Sequence, residues 1–195
     1  MIRLAARRPD WALGFADEVW WTRVRQPSLH TWTDEPLRLV EQSVANDDPD
    51  PKALACYGLL LPATDELWLR FVDGRPISAI TTQFLAECCR HLAARGTGAL
   101  LLVWDNASWH ISTAVTTWIR AHNQTAKQTG QGVRIIVCQL PVKAPWLNPI
   151  EPKWVHGKRA IAEPARLLSA SELEQRVCDY FACERHDHLI PQQAA

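Results

Sequence analysis

The stretch LLLVWDNASWH, residues Leu100–His110, joins a strongly apolar run to a polar end. Its first five residues are typical of a strand that is buried on both faces of a sheet. Asp105 follows directly, so its carboxylate is expected at the carboxyl end of that strand, where α/β proteins bind ligands and metals. An Asp-Asn pair is also a common turn and helix cap. Asp105 is therefore a candidate site residue whose role depends on the rest of the chain.

The composition is that of one ordinary globular domain. The 195 residues include 21 Lys and Arg against 21 Asp and Glu, so contacts with nucleic acid would need local basic patches. No apolar run reaches the ~20 residues that span a bilayer. The six cysteines lie mostly in apolar segments and no secretory leader is found, which favours reduced thiols in a cytoplasmic protein. We expect no membrane segment and no disulfide.

The apolar periodicity predicts strands and helices in a mixed order. Besides the strand before Asp105, strands are expected over Leu13–Val24, Ala53–Leu61, Glu66–Val72 and Val133–Cys138, with short extended pieces near Thr31–Thr33 and Leu37–Glu41. The second and third of these strands should form an antiparallel pair. Helices are expected from Ser78, as N-cap, to about Arg95, from Ser112 to about His122, and from Ser171 to Cys183. The polar segment Asn123–Gly132 is expected to be a loop.

Asp17 interrupts an apolar face of the first predicted strand. Side chains alternate along a strand, so Phe15, Asp17 and Val19 share one face. Glu18 points to the other face and need not share the role of Asp17. A charge on an apolar face is costly unless it is paired or bound to a metal. An acid at a strand edge that reaches solvent is the alternative explanation.

Glu151 lies in a segment with four prolines. Pro149 and Pro152 can sit together only near the opening of a helix, so Glu151 is expected in a first helical turn. There is a purely structural alternative, because Asn148 as N-cap with Glu151 three residues later has the spacing of a capping box.

Two further groups of residues are weaker candidates. A local basic cluster could hold phosphates, although a solvated helix face is the commoner explanation: Lys153, His156, Lys158, Arg159 and Arg166. A C-terminal group could in principle hold zinc, although its spacing matches no common zinc finger: Cys178, Cys183, His186 and His188.

The three acids carry more information together than singly. Asp17, Asp105 and Glu151 come from three separate predicted elements. In one pocket they would repel and raise one another's pKa unless cations neutralised them. Oxygen ligands select Mg²⁺ or Mn²⁺. Two such ions about 4 Å apart suit in-line displacement at phosphorus, one activating the attacking oxygen and the other stabilising the leaving oxygen.

The chain resembles the DDE transposases of the ribonuclease-H-like superfamily, in particular bacterial insertion-sequence transposases related to mariner. The resemblance rests on FADE at Phe15–Glu18, VWDNASWH at Val103–His110 and the more specific LPVKAPWLNPIEPKW at Leu140–Trp154. It implies a ribonuclease-H-like α/β fold, with a mixed sheet flanked by helices on both faces. The catalytic domain would cover residues 1–165, and a C-terminal helix and tail over 166–195 would pack on the same domain.

The resemblance also implies the site residues. Asp17, Asp105 and Glu151 would be the catalytic triad that binds two Mg²⁺ or Mn²⁺ ions. The expected nucleic-acid contacts are Asn106, His110, Lys143, Lys153, Lys158 and Arg159. Asn106 and His110 match other positions of the family's second motif. His110 would contact a phosphate or help to place the nucleophile, and a core histidine at a helix start is an equal alternative.

The implied reaction is metal-dependent cleavage of DNA at transposon ends, followed by transfer of the freed 3′-OH to target DNA at a TA dinucleotide. The partners would be DNA and a second copy of the chain, at the nucleoid of a bacterial cytoplasm. The alternatives are another ribonuclease-H-like nuclease, which would hydrolyse without joining, and an inactive remnant or regulatory domain of a transposase. Retention of three costly carboxylates argues against decay.

The sequence departs from the family pattern in two places. Asp105 and Glu151 are separated by 45 residues, more than expected, and a loop insertion over Asn123–Gly132 would account for the excess. About sixteen residues precede Asp17, so no N-terminal helix-turn-helix domain is expected. A helix-turn-helix polypeptide encoded upstream is the expected partner for recognition of the transposon ends.

Overall fold

The computed structural model describes residues 3, 7–24, 34, 43–142, 144–163 and 166–191. The extended pieces predicted near Thr31–Thr33 and Leu37–Glu41 lie outside these residues. The strands are β1 (Trp11–Thr22), β2 (Ala53–Leu61), β3 (Glu66–Val72), β4 (Ala99–Trp104) and β5 (Arg134–Gln139). The helices are α1 (Ser78–Ala93), α2 (Thr113–Thr129), α3 (Glu151–Ile161) and α4 (Ala170–Phe181), with a 3₁₀ turn at Pro145–Leu147.

The five strands form one mixed sheet in the order β3-β2-β1-β4-β5. The chain makes an antiparallel meander from β1 through β2 to β3. It then crosses over through α1, so that β4 lies parallel to β1, and through α2, so that β5 lies parallel to β4. The predicted antiparallel pair and the predicted mixed sheet are both confirmed.

Helices cover both faces of the sheet because its strands carry apolar side chains on both sides. On one face, Leu102 of β4 shares a core with Phe84 of α1 and Val115 of α2. On the other face, Val103 shares a core with Trp154 of α3. Helix α4 packs on α3, where Phe181 meets Trp154 at a ring-centroid distance of 5.8 Å. Neighbouring residues of β4 thus belong to different cores, as alternation requires.

The loop prediction for Asn123–Gly132 is wrong. Helix α2 continues through Asn123 to Thr129 and ends at Gly130, whose φ of 67° is the left-handed conformation that glycine adopts freely. One polar side chain of this segment, Asn123, has its partner on β5. The Asn123 amide accepts from the Ile135 N–H at 2.7 Å and donates to the Ile135 carbonyl at 2.8 Å. The extra length between Asp105 and Glu151 therefore includes two helical turns.

Helix α1 begins as predicted, but its N-cap differs. Ser78 is the first helical residue, Ile77 holds the cap position, and no side chain caps the helix. The Ser78 hydroxyl instead donates to Ser112, which caps α2 by accepting from the Val115 N–H.

Two further properties concern the cysteines and the helices. All six cysteines are free thiols. Among the described residues, none of the helices combines the length and the apolar character needed to cross a lipid bilayer.

Candidate active site

A cavity of about 380 Å³ lies beyond the carboxyl ends of β4 and β5. Asp17, Asp105 and Glu151 all line it. The rest of its wall is formed by residues that follow β4 and β5, namely Asn106, Ala107, Leu140, Pro141, Val142, Ala144, Pro145 and Asn148. The structure therefore brings together the three acids that the sequence analysis selected.

The register of β1 and β4 brings the two aspartates to the same level. Phe15 pairs with Val103 in parallel register, and this register, continued by two residues, would bring Asp17 and Asp105 to one level where β4 ends. Phe15 and Val103 lie on the sheet face that α3 covers, and alternation places the side chain two residues after each of them on that same face. As predicted, Glu18 points to the opposite face.

Glu151 reaches the cavity because the turn before α3 is fixed to β1. The Asn148 amide donates to the Ala16 carbonyl at 3.3 Å, next to Asp17. Its oxygen accepts from the Ile150 N–H at 3.4 Å, and Ile150 is fully buried. The capping box proposed for Asn148 and Glu151 is not formed, because Ile150 holds the N-cap position and no side chain caps α3. Glu151 does lie in the first turn, as predicted.

Asp17 is a half-buried carboxylate without a cationic partner among the described residues. Burial raises its pKa to about 7, and the charges of Glu151 and Glu18 add to the effect. The Trp154 indole N–H opposes this by donating to Asp17 Oδ2 at 2.8 Å. The indole ring passes over Gly58, which lies directly across from Asp17 on β2, and a Cβ at Gly58 would lie 2.5 Å from the ring.

Asp105 has the opposite electrostatic environment, because it has a basic partner. Its Oδ1 accepts from His110 Nδ1 at 2.8 Å and from the Ala107 N–H at 2.9 Å. The His110 hydrogen bond lowers the pKa of Asp105. His110 Nε2 in turn donates to Glu18 Oε1 at 2.6 Å. Burial alone would lower the pKa of His110, but the two carboxylates raise it to about 9.

Glu151 is affected by both signs of charge. Burial raises its pKa. The charge of Lys158, seven residues later on α3, lowers the pKa, and the charge of Asp105 raises it. Because Glu151 acts on Asp17 and Asp105 acts on Glu151, the three acids form one electrostatically coupled group.

The other predicted contact residues differ in their surroundings. Asn106 lines the cavity, and its amide ties the end of β4 to β5 by donating to the Leu140 carbonyl at 2.6 Å. Lys153 binds both oxygens of Asp65 at 2.8 Å, so its charge is already compensated. Lys158 and Arg159 are exposed, and Lys143 lies outside the described residues. His110 is only 2% exposed with both ring nitrogens engaged, which favours a structural role over contact with a phosphate.

The donor set suits a hard divalent cation. Within the described ranges, no three His, Cys, Asp or Glu side chains stand close enough to hold a metal ion without moving. This applies to the three acids and to the C-terminal group considered for zinc. The acids nevertheless supply carboxylate oxygens to one cavity, and none of the described cationic side chains compensates the charge of the half-buried Asp17 there. Oxygen donors with excess negative charge are what Mg²⁺ and Mn²⁺ require.

Sequence comparison decides the family. The profile of the DDE superfamily endonucleases matches residues 41–174. The chain belongs to this family. The matched segment includes Asp105 and Glu151 and begins after Asp17. Among curated proteins, none matches this chain.

Comparison with solved structures shows the fold of the chain. The Mos1 transposase paired-end complex with the left transposon end superposes with a TM-score of 0.66 at 16% identity, over 94% of this chain and 52% of that one. The Mos1 mariner paired-end complex with Mn gives 0.62 at 14% identity, over 89% and 49%. The catalytic domain of Mos1 mariner transposase gives 0.58 at 15% identity, over 94% and 76%. The predicted ribonuclease-H-like fold is confirmed, and the chain spans about half the length of the Mos1 chains in the complexes.

Two residues of the site were not selected from the sequence. Trp154 binds Asp17, and Glu18 binds His110. Signals for both were present, since Trp154 lies one helical turn after Glu151, and alternation places Glu18 on the same face as Trp104, just before Asp105.

Proposed function

We propose that this chain is the catalytic domain of a transposase that cleaves DNA at transposon ends and transfers the cut strand, dependent on Mg²⁺ or Mn²⁺. Asp17, Asp105 and Glu151 would hold two divalent ions. The observation that carries the proposal is the meeting of these three carboxylates, from β1, the end of β4 and the start of α3, in one cavity. The raised pKa of Asp17 supports it, since bound cations would supply the missing compensation.

The side chains around the cavity would have distinct tasks. When bound, the ions would activate the attacking oxygen and stabilise the leaving oxygen of the phosphodiester. Trp154 donates a hydrogen bond to the Asp17 carboxylate, and His110 donates one to Asp105. Asn106 and Lys158 are best placed to contact the DNA backbone, with Arg159 beside them.

The assembly around the domain is also a proposal. We propose that residues 1–165 form the catalytic unit and that 166–195 complete it. The bound partner would be DNA, both transposon ends and target, because the similar Mos1 structures include a paired-end complex with the left transposon end and a strand transfer complex. We further propose a homodimer, end recognition by a helix-turn-helix polypeptide encoded upstream, and action at the nucleoid of a bacterial cytoplasm.

Nicking of supercoiled plasmid in Mn²⁺ tests the proposal. We expect the unmodified chain to convert plasmid to the open circle and Asp105→Ala to lose at least nine tenths of that rate. Asp65→Asn, which removes an exposed acid outside the cavity, is the matched control and should keep the rate.

A second substrate separates the alternatives. An oligonucleotide duplex with a free 3′-OH transposon end should be joined to plasmid by a transposase. Nicking without joining would favour a hydrolytic ribonuclease-H-like nuclease. A rate no higher than that of Asp105→Ala would favour an inactive remnant.

A further inference from the structure

We propose that Glu18 and His110 act as a positioning pair that holds the Asp105 carboxylate in the orientation needed for cation binding. The inference rests on the proposed function and adds two residues to its site. Neither would touch the ion or the DNA. Their effect on the reaction would pass through Asp105.

The His110 ring is fixed in all directions. In the ring plane, Nδ1 donates to Asp105 Oδ1 at 2.8 Å and Nε2 donates to Glu18 Oε1 at 2.6 Å. Its face stacks on the Trp104 indole, with ring centroids 4.3 Å apart and planes 9° apart. The His110 side chain is 1% exposed, so neither solvent nor DNA reaches the ring. A ring held in this way is a rigid donor to Asp105.

Asp105 depends on that donor because packing does not hold it. Its side chain is 52% exposed, on a turn that leaves β4. Both of its hydrogen bonds, from His110 and from the Ala107 N–H, go to Oδ1. They leave Oδ2 without a hydrogen-bond partner among the described residues while preventing rotation of the carboxylate. An oxygen presented in this way is suited to a cation, whereas a freely rotating carboxylate must be ordered when the ion binds.

Glu18 anchors the other end of the pair. Its side chain is 8% exposed and lies on the sheet face opposite Asp17. It lies opposite Tyr57 of β2 in the sheet, and the Tyr57 hydroxyl bonds to Thr81 of α1. Without Glu18, His110 Nε2 would lose its described partner and the ring could turn away from Asp105. Mutation of a residue that supports a metal ligand in this way typically lowers metal affinity or activity 10–100-fold.

Mn²⁺ affinity of the whole chain, measured by electron paramagnetic resonance of free Mn²⁺, tests the pair without relying on activity. We expect Glu18→Ala to weaken Mn²⁺ binding about 10–100-fold. Glu18→Gln should weaken it less, about three- to tenfold, because the amide oxygen still accepts from Nε2 but carries no charge. Asp105→Ala should show the largest loss.

The chain contains a matched control. Glu66 binds His91 Nε2 at 3.2 Å, and the His91 ring stacks on Trp68 at 5.1 Å. This is a second carboxylate-histidine-tryptophan arrangement, and it does not line the cavity. Glu66→Ala should therefore leave Mn²⁺ affinity unchanged, even where it lowers the melting temperature.

Each other outcome contradicts the pair. Folded Glu18→Ala with Mn²⁺ affinity within twofold of the unmodified chain would overturn it, as would an equal loss in Glu66→Ala. If Glu18→Ala does not fold, Glu18→Gln decides, and unchanged affinity in that variant overturns the pair. If the folded, unmodified chain binds no Mn²⁺ and behaves like Asp105→Ala, the proposed function fails and the pair fails with it.

Discussion

Replacing Asp17 by Asn should stabilise the metal-free protein at alkaline pH. The carboxylate has a pKa of about 7 in the folded chain against an ordinary 3.8. Because the folded-state pKa is raised, its favourable contribution is complete below the unfolded pKa and is lost as pH rises through about 7. Above that pH the ionised group opposes folding. Asparagine keeps an oxygen that can accept from the Trp154 indole and has no charge to desolvate.

The size of the effect follows from the pKa difference. About three pKa units at 1.36 kcal/mol each give an upper limit of about 4 kcal/mol. Because Asp17 lines an open cavity, solvent screening reduces this, and we expect about 2 kcal/mol at pH 8. At pH 5.5 only half of the penalty has developed, so the gain should be about 1 kcal/mol. The corresponding rise in melting temperature at pH 8 is about 4–8 °C.

Thermal and urea unfolding in EDTA, at both pH values, measure the gain. Asp65→Asn is the control, since that acid is exposed and bound to Lys153. In Mn²⁺ the unmodified chain should be more stable than Asp17→Asn, because the bound ion stabilises the unmodified chain and the variant loses most of that stabilisation. A variant that is less stable than the unmodified chain in EDTA at pH 8 would refute the reasoning. So would an equal gain at the two pH values.

Three further predictions concern the supports of the site. Trp154→Phe removes the hydrogen bond to Asp17 but keeps an aromatic ring, so Mn²⁺ affinity should fall about fivefold, or about 1 kcal/mol. An unchanged affinity in a binding titration would contradict this prediction. Gly58→Ala places a Cβ 2.5 Å from the Trp154 ring, so the free energy of unfolding in urea should fall by about 1–3 kcal/mol. A fall of less than about 0.5 kcal/mol would be inconsistent with the packing. The stabilisation from His110, whose pKa is raised to about 9, is complete below its ordinary 6.5 and is lost as pH rises through about 9. Urea unfolding in EDTA should therefore show a decrease of up to about 3 kcal/mol between pH 7 and 10 that His110→Gln lacks, and an equal decrease in both proteins would exclude it.

The sequence was sufficient for the sheet and for the order of the three acids. Continuous apolar runs and alternation mark the strands, and Asp105 follows its strand without a gap. These are local signals with a fixed period. The helix that carries Glu151 was likewise predictable, because Pro149 and Pro152 are compatible only with a helix start.

Contacts between distant segments could not be predicted in the same way. The bond from Trp154 to Asp17 joins residues 137 positions apart, and that from His110 to Glu18 joins residues 92 positions apart. Periodicity tells which face a side chain takes but not which partner it meets. The end of α2 was missed for the same reason, since Asn123 has loop character until its partner on β5 is known.

Anomalous diffraction from crystals soaked in Mn²⁺ tests the central claim most directly. The account predicts density for Mn²⁺ in the cavity, in contact with carboxylate oxygens of Asp17, Asp105 and Glu151. Density elsewhere only, or a bound ion that leaves any one of the three acids without contact to a metal, would contradict it.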